Sequence, residues 1–139
     1  VIPKFVLSLM NYESPVINGT GEYSRDFTYI NNVIHANQLA ASAETDDLYK
    51  NNIKHEVFNV ACGERTNLIE LFNYLRNNLS KNDNAISEIE VIFGQYRDGD
   101  IPHSLASIDK AKELLGYKPG YSVKQGLKEA CSWYWENLK

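Results

Sequence analysis

Glu56-Val-Phe-Asn-Val-Ala-Cys-Gly63, followed by Glu64-Arg-Thr-Asn-Leu-Ile-Glu-Leu-Phe-Asn-Tyr-Leu-Arg-Asn-Asn-Leu79, is the stretch that decides the fold class. Its first part is β-branched and aromatic from Glu56 to Ala61 and stops at a glycine, which reads as a buried strand. Its second part sets Leu68, Leu71, Phe72, Leu75 and Leu79 at helical spacing, with Thr66 placed to cap the helix. A strand, a glycine turn and an amphipathic helix in succession indicate α/β.

The flanking sequence repeats the alternation. Upstream, Ile2 to Met10 reads as a helix that tolerates Pro3 in its first turn. Pro15 to Asn18 reads as a short strand, Asn18-Gly-Thr-Gly21 as a turn, and Asp26 to Ile30 as a second strand. Asn31 or Asn32 can cap a helix running to about Glu44, with Val33, Ile34, Asn37, Ala40 and Ala41 on or near one face. Thr45 to Lys54 is polar and expected to be a loop. Downstream, Ser80 to Ser87 is polar and a candidate for disorder, and Ile89 to Phe93 reads as a strand. Asp109 to Leu115 reads as a short helix. Ser122-Val-Lys-Gln125 is a capping-box pattern opening a last helix that carries Val123, Leu127, Ala130, Cys131 and Tyr134 inward. The expected fold is α/β, with few short strands and about five helices.

Composition narrows the function. Of 139 residues 43% are hydrophobic, enough for a real core in about one domain. A net charge of −4 argues against broad binding to nucleic acid, which needs a basic surface. No apolar run approaches the roughly 18–20 residues that cross a bilayer, so no membrane association is expected. No signal-peptide pattern is visible. Cys62 and Cys131 stand apart and read as free thiols, so the expected compartment is the cytoplasm. The start at Val1, inside an apolar helical pattern, suggests the back part of a longer chain.

Chemistry concentrates in Gly94-Gln-Tyr-Arg-Asp-Gly-Asp-Ile-Pro-His-Ser104, with a second arginine in Tyr23-Ser-Arg-Asp-Phe27. Arg25 and Arg97 could clamp a diphosphate, because guanidinium groups take phosphate oxygens in a bidentate fork. They could equally be surface arginines paired with the adjacent Asp26 and Asp98. Asp100 could hold a ribose diol or simply form a turn. Gly19-Thr-Gly21 could cradle a phosphate, though a plain turn explains it, and Gly63 before a helix is weak support for an anion site. His35, His55 and His103 share no metal-ligand spacing, so no metal site is expected. Adjacency of His103 and Ser104 does not make a nucleophile–base pair. There is no Gly-x-Gly-x-x-Gly, no Gly-x-x-Gly-x-x-Gly, and no tyrosine followed four residues later by lysine. The dinucleotide fingerprint and a Tyr/Lys catalytic pair are therefore both missing.

The order Val-Ile-Pro-Lys-Phe, Ile-Asn-Gly-Thr-Gly, Ser-Arg-Asp-Phe-Thr-Tyr-Ile, Val-Phe-Asn-Val-Ala-Cys-Gly, Tyr-Arg-Asp-Gly-Asp-Ile-Pro-His-Ser and Ala-Lys-Glu-Leu-Leu-Gly-Tyr-Lys-Pro resembles the extended short-chain dehydrogenase/reductase family. Within it the chain looks most like the nucleotide-sugar 4-epimerases, in particular the UDP-N-acetylglucosamine 4-epimerases of surface polysaccharide synthesis. The resemblance covers essentially the whole chain and implies the C-terminal, sugar-nucleotide-binding lobe.

By that resemblance Arg25 and Arg97 would contact the UDP diphosphate and Asp100 the ribose. The strand around Val16, Ile17 and Asn18 would meet the uracil through backbone groups. Ser104 would border the sugar, where relatives that prefer non-acetylated hexoses carry tyrosine. Val16 replaces a frequent aromatic residue, Pro102 a frequent arginine and Ser107 a frequent aspartate. The family reaction oxidises the sugar C4 hydroxyl with tightly held NAD, rotates the 4-keto sugar and returns the hydride to the other face. Its tyrosine base, lysine and NAD-binding domain would lie upstream of Val1, in a parent that is a homodimer. This chain would then hold recognition residues and no catalytic ones. The alternatives are a non-catalytic nucleotide-sugar-binding module, or part of a related dehydratase, decarboxylase or reductase.

Overall fold

A computed structural model describes residues 1–43 and 55–138. Helix α1 spans Ile2–Met10, as its apolar pattern indicates, with Pro3 in the first turn, and buries Phe5, Val6 and Leu9. Helix α3, Leu68–Leu79, buries Leu71, Phe72, Leu75 and Leu79. Helix α5, Val123–Asn137, opens on the expected Ser122/Gln125 capping box and buries Val123, Leu127 and Cys131. These three helices pack on one another. With Ile17 and Ile86 their buried side chains form the main hydrophobic core. Burying a leucine-sized side chain contributes about 1.5–3 kcal/mol, so this cluster carries the stability of the chain.

Four short strands accompany the helices among the described residues. β1, Val16–Asn18, runs parallel to β4, Ile92–Gly94, with Ile17 opposite Phe93 and Asn18 opposite Gly94. β2, Ser24–Arg25, runs antiparallel to β3, Thr66–Asn67. Ser24 also makes a parallel bridge to His103. The architecture is mixed α/β with five α-helices and few strands among the described residues, as expected.

A second, smaller cluster joins Ala36 of α2 (Ile30–Ser42) to Ala61, Ile108, Ala111 of α4 (Asp109–Leu115) and Tyr117. Here the structure corrects the stretch that decided the fold class. Glu56–Ala61 forms no strand, and Val57 is 80% exposed. β-branched and aromatic composition says only that a segment suits a pleated surface, and a strand also needs a partner. Among the described residues none pairs with it. Side chains tether it instead. The Tyr117 hydroxyl donates to the Ala61 carbonyl at 2.9 Å, and Lys110 pairs with Glu56 at 2.8 Å.

Several boundaries also move. Asp26–Ile30 is not a strand, because Asp26 is engaged elsewhere and α2 begins at Ile30. Neither Asn31 nor Asn32 caps α2; Tyr29 holds that position. The buried face of α2 is Asn32 and Ala36, whereas Ile34, Asn37, Ala40 and Ala41 are exposed, because an apolar pattern does not say which face finds a partner. Glu44 and the expected loop Thr45–Lys54 lie outside the described residues. Asn67, not Thr66, caps α3, in a reciprocal capping box with Glu70. Ser80–Ser87 is not a featureless loop: a 3-10 helix covers Asn84–Glu88 and buries Ile86. The strand expected from Ile89 begins only at Ile92.

Both cysteines are buried and free, and burial pushes the Cys131 thiol up to about 11. Asn32 does more for the fold than a cap would. Only 1% exposed, its carboxamide accepts from the Gly120 and Tyr121 amides at 2.9 and 3.0 Å and donates to the Tyr121 carbonyl at 2.8 Å. Asn32→Ala strands these groups, and an unsatisfied buried polar group costs about 1–3 kcal/mol. The urea midpoint of the variant should fall accordingly with an unchanged m-value; an unaltered midpoint would show the contact to be dispensable.

Candidate functional site

Parallel pairing of β1 and β4 places the site. The Pro15 carbonyl accepts from the Ile92 amide and the Gly19 amide donates to the Gly94 carbonyl, both at 3.0 Å. Backbone groups alternate along a strand, so those of Val16 and Asn18 point to the edge of β1 away from β4. Ile17 is buried between them, while Val16 and Asn18 are exposed. Among the described residues no strand pairs with that edge, so β1 offers a free backbone edge, the kind of surface that a planar heterocycle can read through hydrogen bonds.

Beyond β4 the chain turns sharply. The Asp100 amide donates to the Arg97 carbonyl at 3.2 Å, and Gly99 supplies the positive φ of +80° that this turn requires. The Tyr96 ring lies over Gly19 and 5.7 Å from the Tyr23 ring centroid. The chain then returns beside β2, where the Ser24 amide donates to the Pro102 carbonyl at 2.9 Å and the Ser104 amide to the Ser24 carbonyl at 3.1 Å. Arg25 reaches across this junction, its Nη1 donating to the Ser24 carbonyl at 2.8 Å and the Pro102 carbonyl at 3.4 Å.

A cleft of about 650 Å³ results. Val16, Ile17, Asn18, Arg25, Arg97 and Asp100 all line it. Ser104 does not; it is exposed beside Ser24. Lys4 and Ser8 of α1, Glu13 and Tyr23 line the cleft as well, and sequence reading missed them. Lys4 and Ser8 are four residues apart and so share a polar side of α1, next to Phe5, which lines the cleft too. That spacing was readable, but not what the polar side faces.

The electrostatics settle one alternative left open by the sequence. Asp26 does not pair with Arg25; its two carboxylate oxygens accept from the Cys62 and Gly63 amides, each at 3.0 Å. Among the described residues neither Arg25 nor Arg97 forms an ion pair, and the Arg97 guanidinium has no protein partner. The cleft therefore gathers Lys4, Arg25 and Arg97 against Glu13 and Asp100 in a chain whose net charge is −4. An unpartnered guanidinium fork beside a second arginine suits a phosphorylated ligand. Among the described residues no three His, Cys, Asp or Glu side chains converge as metal ligands, and no helix is long and apolar enough to cross a membrane.

Comparison with known proteins identifies the family. A family model described as GDP-mannose 4,6 dehydratase matches residues 1–130. The UDP-N-acetylglucosamine 4-epimerase of Methanobrevibacter ruminantium M1, solved with UDP-N-acetylmuramic acid, is 35% identical with a TM-score of 0.80, over 98% of this chain and 39% of that one. The UDP-glucose 4-epimerase of Thermotoga maritima, solved with UDP-glucose, is 30% identical with a TM-score of 0.80, over 99% of this chain and 40% of that one. The UDP-glucuronic acid 4-epimerase of Bacillus cereus, solved with UDP-glucuronic acid and NAD, is 26% identical with a TM-score of 0.77, again over 99% and 40%. The chain spans about two fifths of the length of the relatives it matches.

Gly19 is the tightest point of the cleft framework. Its φ is +73°, and a Cβ there would stand 2.4 Å from the Tyr96 ring. Gly99 has a similar φ of +80° but nothing within 4 Å. Left-handed backbone costs a side chain about 1–2 kcal/mol and overpacking another 1–3 kcal/mol. Gly19→Ala should therefore destabilise the protein about twice as much as Gly99→Ala in denaturant unfolding, and should alter the near-ultraviolet tyrosine dichroism. Equal losses would mean that Tyr96 yields freely.

Proposed function

We propose, on the premise that this chain belongs to the GDP-mannose 4,6 dehydratase family of nucleotide-sugar epimerases and dehydratases within the extended short-chain dehydrogenase/reductases, that it is the UDP-sugar-recognising portion of a UDP-N-acetylglucosamine 4-epimerase. The observation that carries this reading is the convergence of Arg25, Arg97, Asp100 and the free edge of β1 on one cleft. Arg97 and Arg25 take the diphosphate, with Lys4 adding a third cation. Asp100 accepts from the ribose hydroxyls. The outward backbone groups of Val16 and Asn18 meet the uracil. Ser104, beside Ser24, borders the sugar.

The residues present do not fit NAD. Of the positive-φ glycines, Gly19 and Gly21 share one turn while Gly63, Gly99 and Gly116 stand at others, and no strand, glycine-rich turn and helix come together as a dinucleotide cradle among the described residues. When bound, NAD would supply the hydride chemistry of the family; no residue of this chain is assigned a part in it. We assign catalysis to another part of a longer protein. The chain's coverage of about two fifths of its relatives supports that division, and so does the apolar surface of α2, where Ile30 and Ile34 are 57% and 46% exposed. In such a protein this chain's own work is to bind and orient the nucleotide so that the sugar is presented to the reacting groups.

UDP binding tests the assignment in the protein as its gene encodes it. Arg97→Ala removes charge-assisted bonds worth about 1.5–3 kcal/mol, a loss of roughly ten- to a hundredfold in affinity. Asp100→Ala should cost less, since one ribose contact is lost and a carboxylate leaves a cleft that holds a dianion. Equal or reversed losses in calorimetry with UDP would show the diphosphate assignment to be wrong.

The sugar end is tested separately. Serine at position 104 leaves room for a bulky substituent at C2 that tyrosine would fill, and a filled pocket rejects by overlap. Ser104→Tyr should abolish turnover of UDP-N-acetylglucosamine and UDP-N-acetylgalactosamine while sparing UDP-glucose and UDP-galactose. An unchanged ratio of kcat/KM values between the two pairs would remove Ser104 from the sugar pocket.

A further inference from the structure

The two arginines come from segments far apart in sequence, and something must set their separation. Among the described residues two backbone hydrogen bonds join those segments at the β2 edge, from the Ser24 amide to the Pro102 carbonyl and from the Ser104 amide to the Ser24 carbonyl. A side-chain contact reinforces them. Ser24 Oγ lies 2.9 Å from His103 Nδ1. Ser24 is buried, at 6% exposure, whereas His103 is exposed. A buried hydroxyl needs a partner, and an otherwise exposed ring turns its inner nitrogen to provide one.

From this geometry we infer that Ser24 and His103 form a latch that fixes the Arg97–Asp100 turn against Arg25. This makes His103 a positioning residue for phosphate recognition, an inference that rests on the proposed nucleotide site. Transmission is short. Only Ile101 and Pro102 separate the turn from His103, and proline fixes its own φ. The same junction anchors the second arginine, because Arg25 Nη1 donates to the carbonyls of Ser24 and Pro102, the two residues joined by the Ser24 amide hydrogen bond. Loss of the latch therefore loosens both sides of the clamp while leaving the helical core of α1, α3 and α5 untouched. A serine hydroxyl can donate or accept, so the contact serves either tautomer of the imidazole.

The test uses a shape argument. The side-chain amide of asparagine reaches the position of histidine Nδ1, and that of glutamine reaches the position of Nε2. In the protein as its gene encodes it, His103→Ala should weaken UDP binding about tenfold in calorimetry. His103→Asn should restore most of that, and His103→Gln should not. In an Arg97→Ala background the same His103→Ala change should cost less than about threefold, because one of the two arginines it positions is already gone. Hydrogen exchange without ligand should rise across residues 96–104 in the Ala and Gln variants and return to the parent level in Asn. A parent protein that fails to bind UDP would sink the nucleotide assignment, while the exchange data would still decide the latch. Glutamine matching asparagine, full additivity with Arg97→Ala, or unchanged exchange in every variant would overturn it.

Discussion

Parallel pairing of Val16–Asn18 with Ile92–Gly94 is the constraint on which the rest of this molecule depends. Parallel strands cannot be joined by a hairpin, so the chain between them must cross over. In exchange, the C-terminal ends of both strands lie at one end of the pair, and the segments leaving them emerge side by side. One carries Tyr23 and Arg25, the other Tyr96, Arg97 and Asp100. Their meeting in one cleft follows from the direction of two three-residue strands. It also matches the general tendency of α/β proteins to bind ligands beyond the carboxyl ends of parallel strands.

Strands this short do not stabilise themselves. Ile17 ties β1 into the core formed by α1, α3 and α5, so that packing holds the pair in register. Polar side chains then lock the loops that packing does not reach. Asp26 holds the Cys62 and Gly63 amides, and Asn32 holds the Gly120–Tyr121 backbone. Sequence reading offers Asn32 as a helix cap and Asp26 as a surface ion-pair partner, and packing gives both to loops instead. Because Asp26 anchors a loop, Arg25 is left without its adjacent carboxylate.

That freedom has an electrostatic consequence. The chain is acidic overall, yet three cations converge where the cleft forms. Within a Debye length of about 8–10 Å such a local arrangement outweighs the net charge in what a small anion experiences. Excluding nucleic acid on net charge and expecting a nucleotide at the arginines are therefore compatible. The first concerns an extended polyanion and the second a single diphosphate.

The sequence alone determined the elements whose formation is local. α1, α4 and the capping box of α5 stand where periodicity, Pro3 and the Ser122/Gln125 pair place them, because those signals act within a few residues. It also named Arg25, Arg97, Asp100 and the β1 residues as one group, through the order of motifs. Tertiary structure decided everything that needs a partner distant in the chain. Glu56–Ala61 has strand composition but no neighbouring strand among the described residues. Ile86 lends a polar stretch one buried anchor, and Asn32 spends its amide on a loop far downstream. Lys4 joins the cleft only because α1 and β1 share one core. Local propensity fixes what a segment can be; only long-range packing fixes what stands next to it, and a binding site is made of what stands next to what.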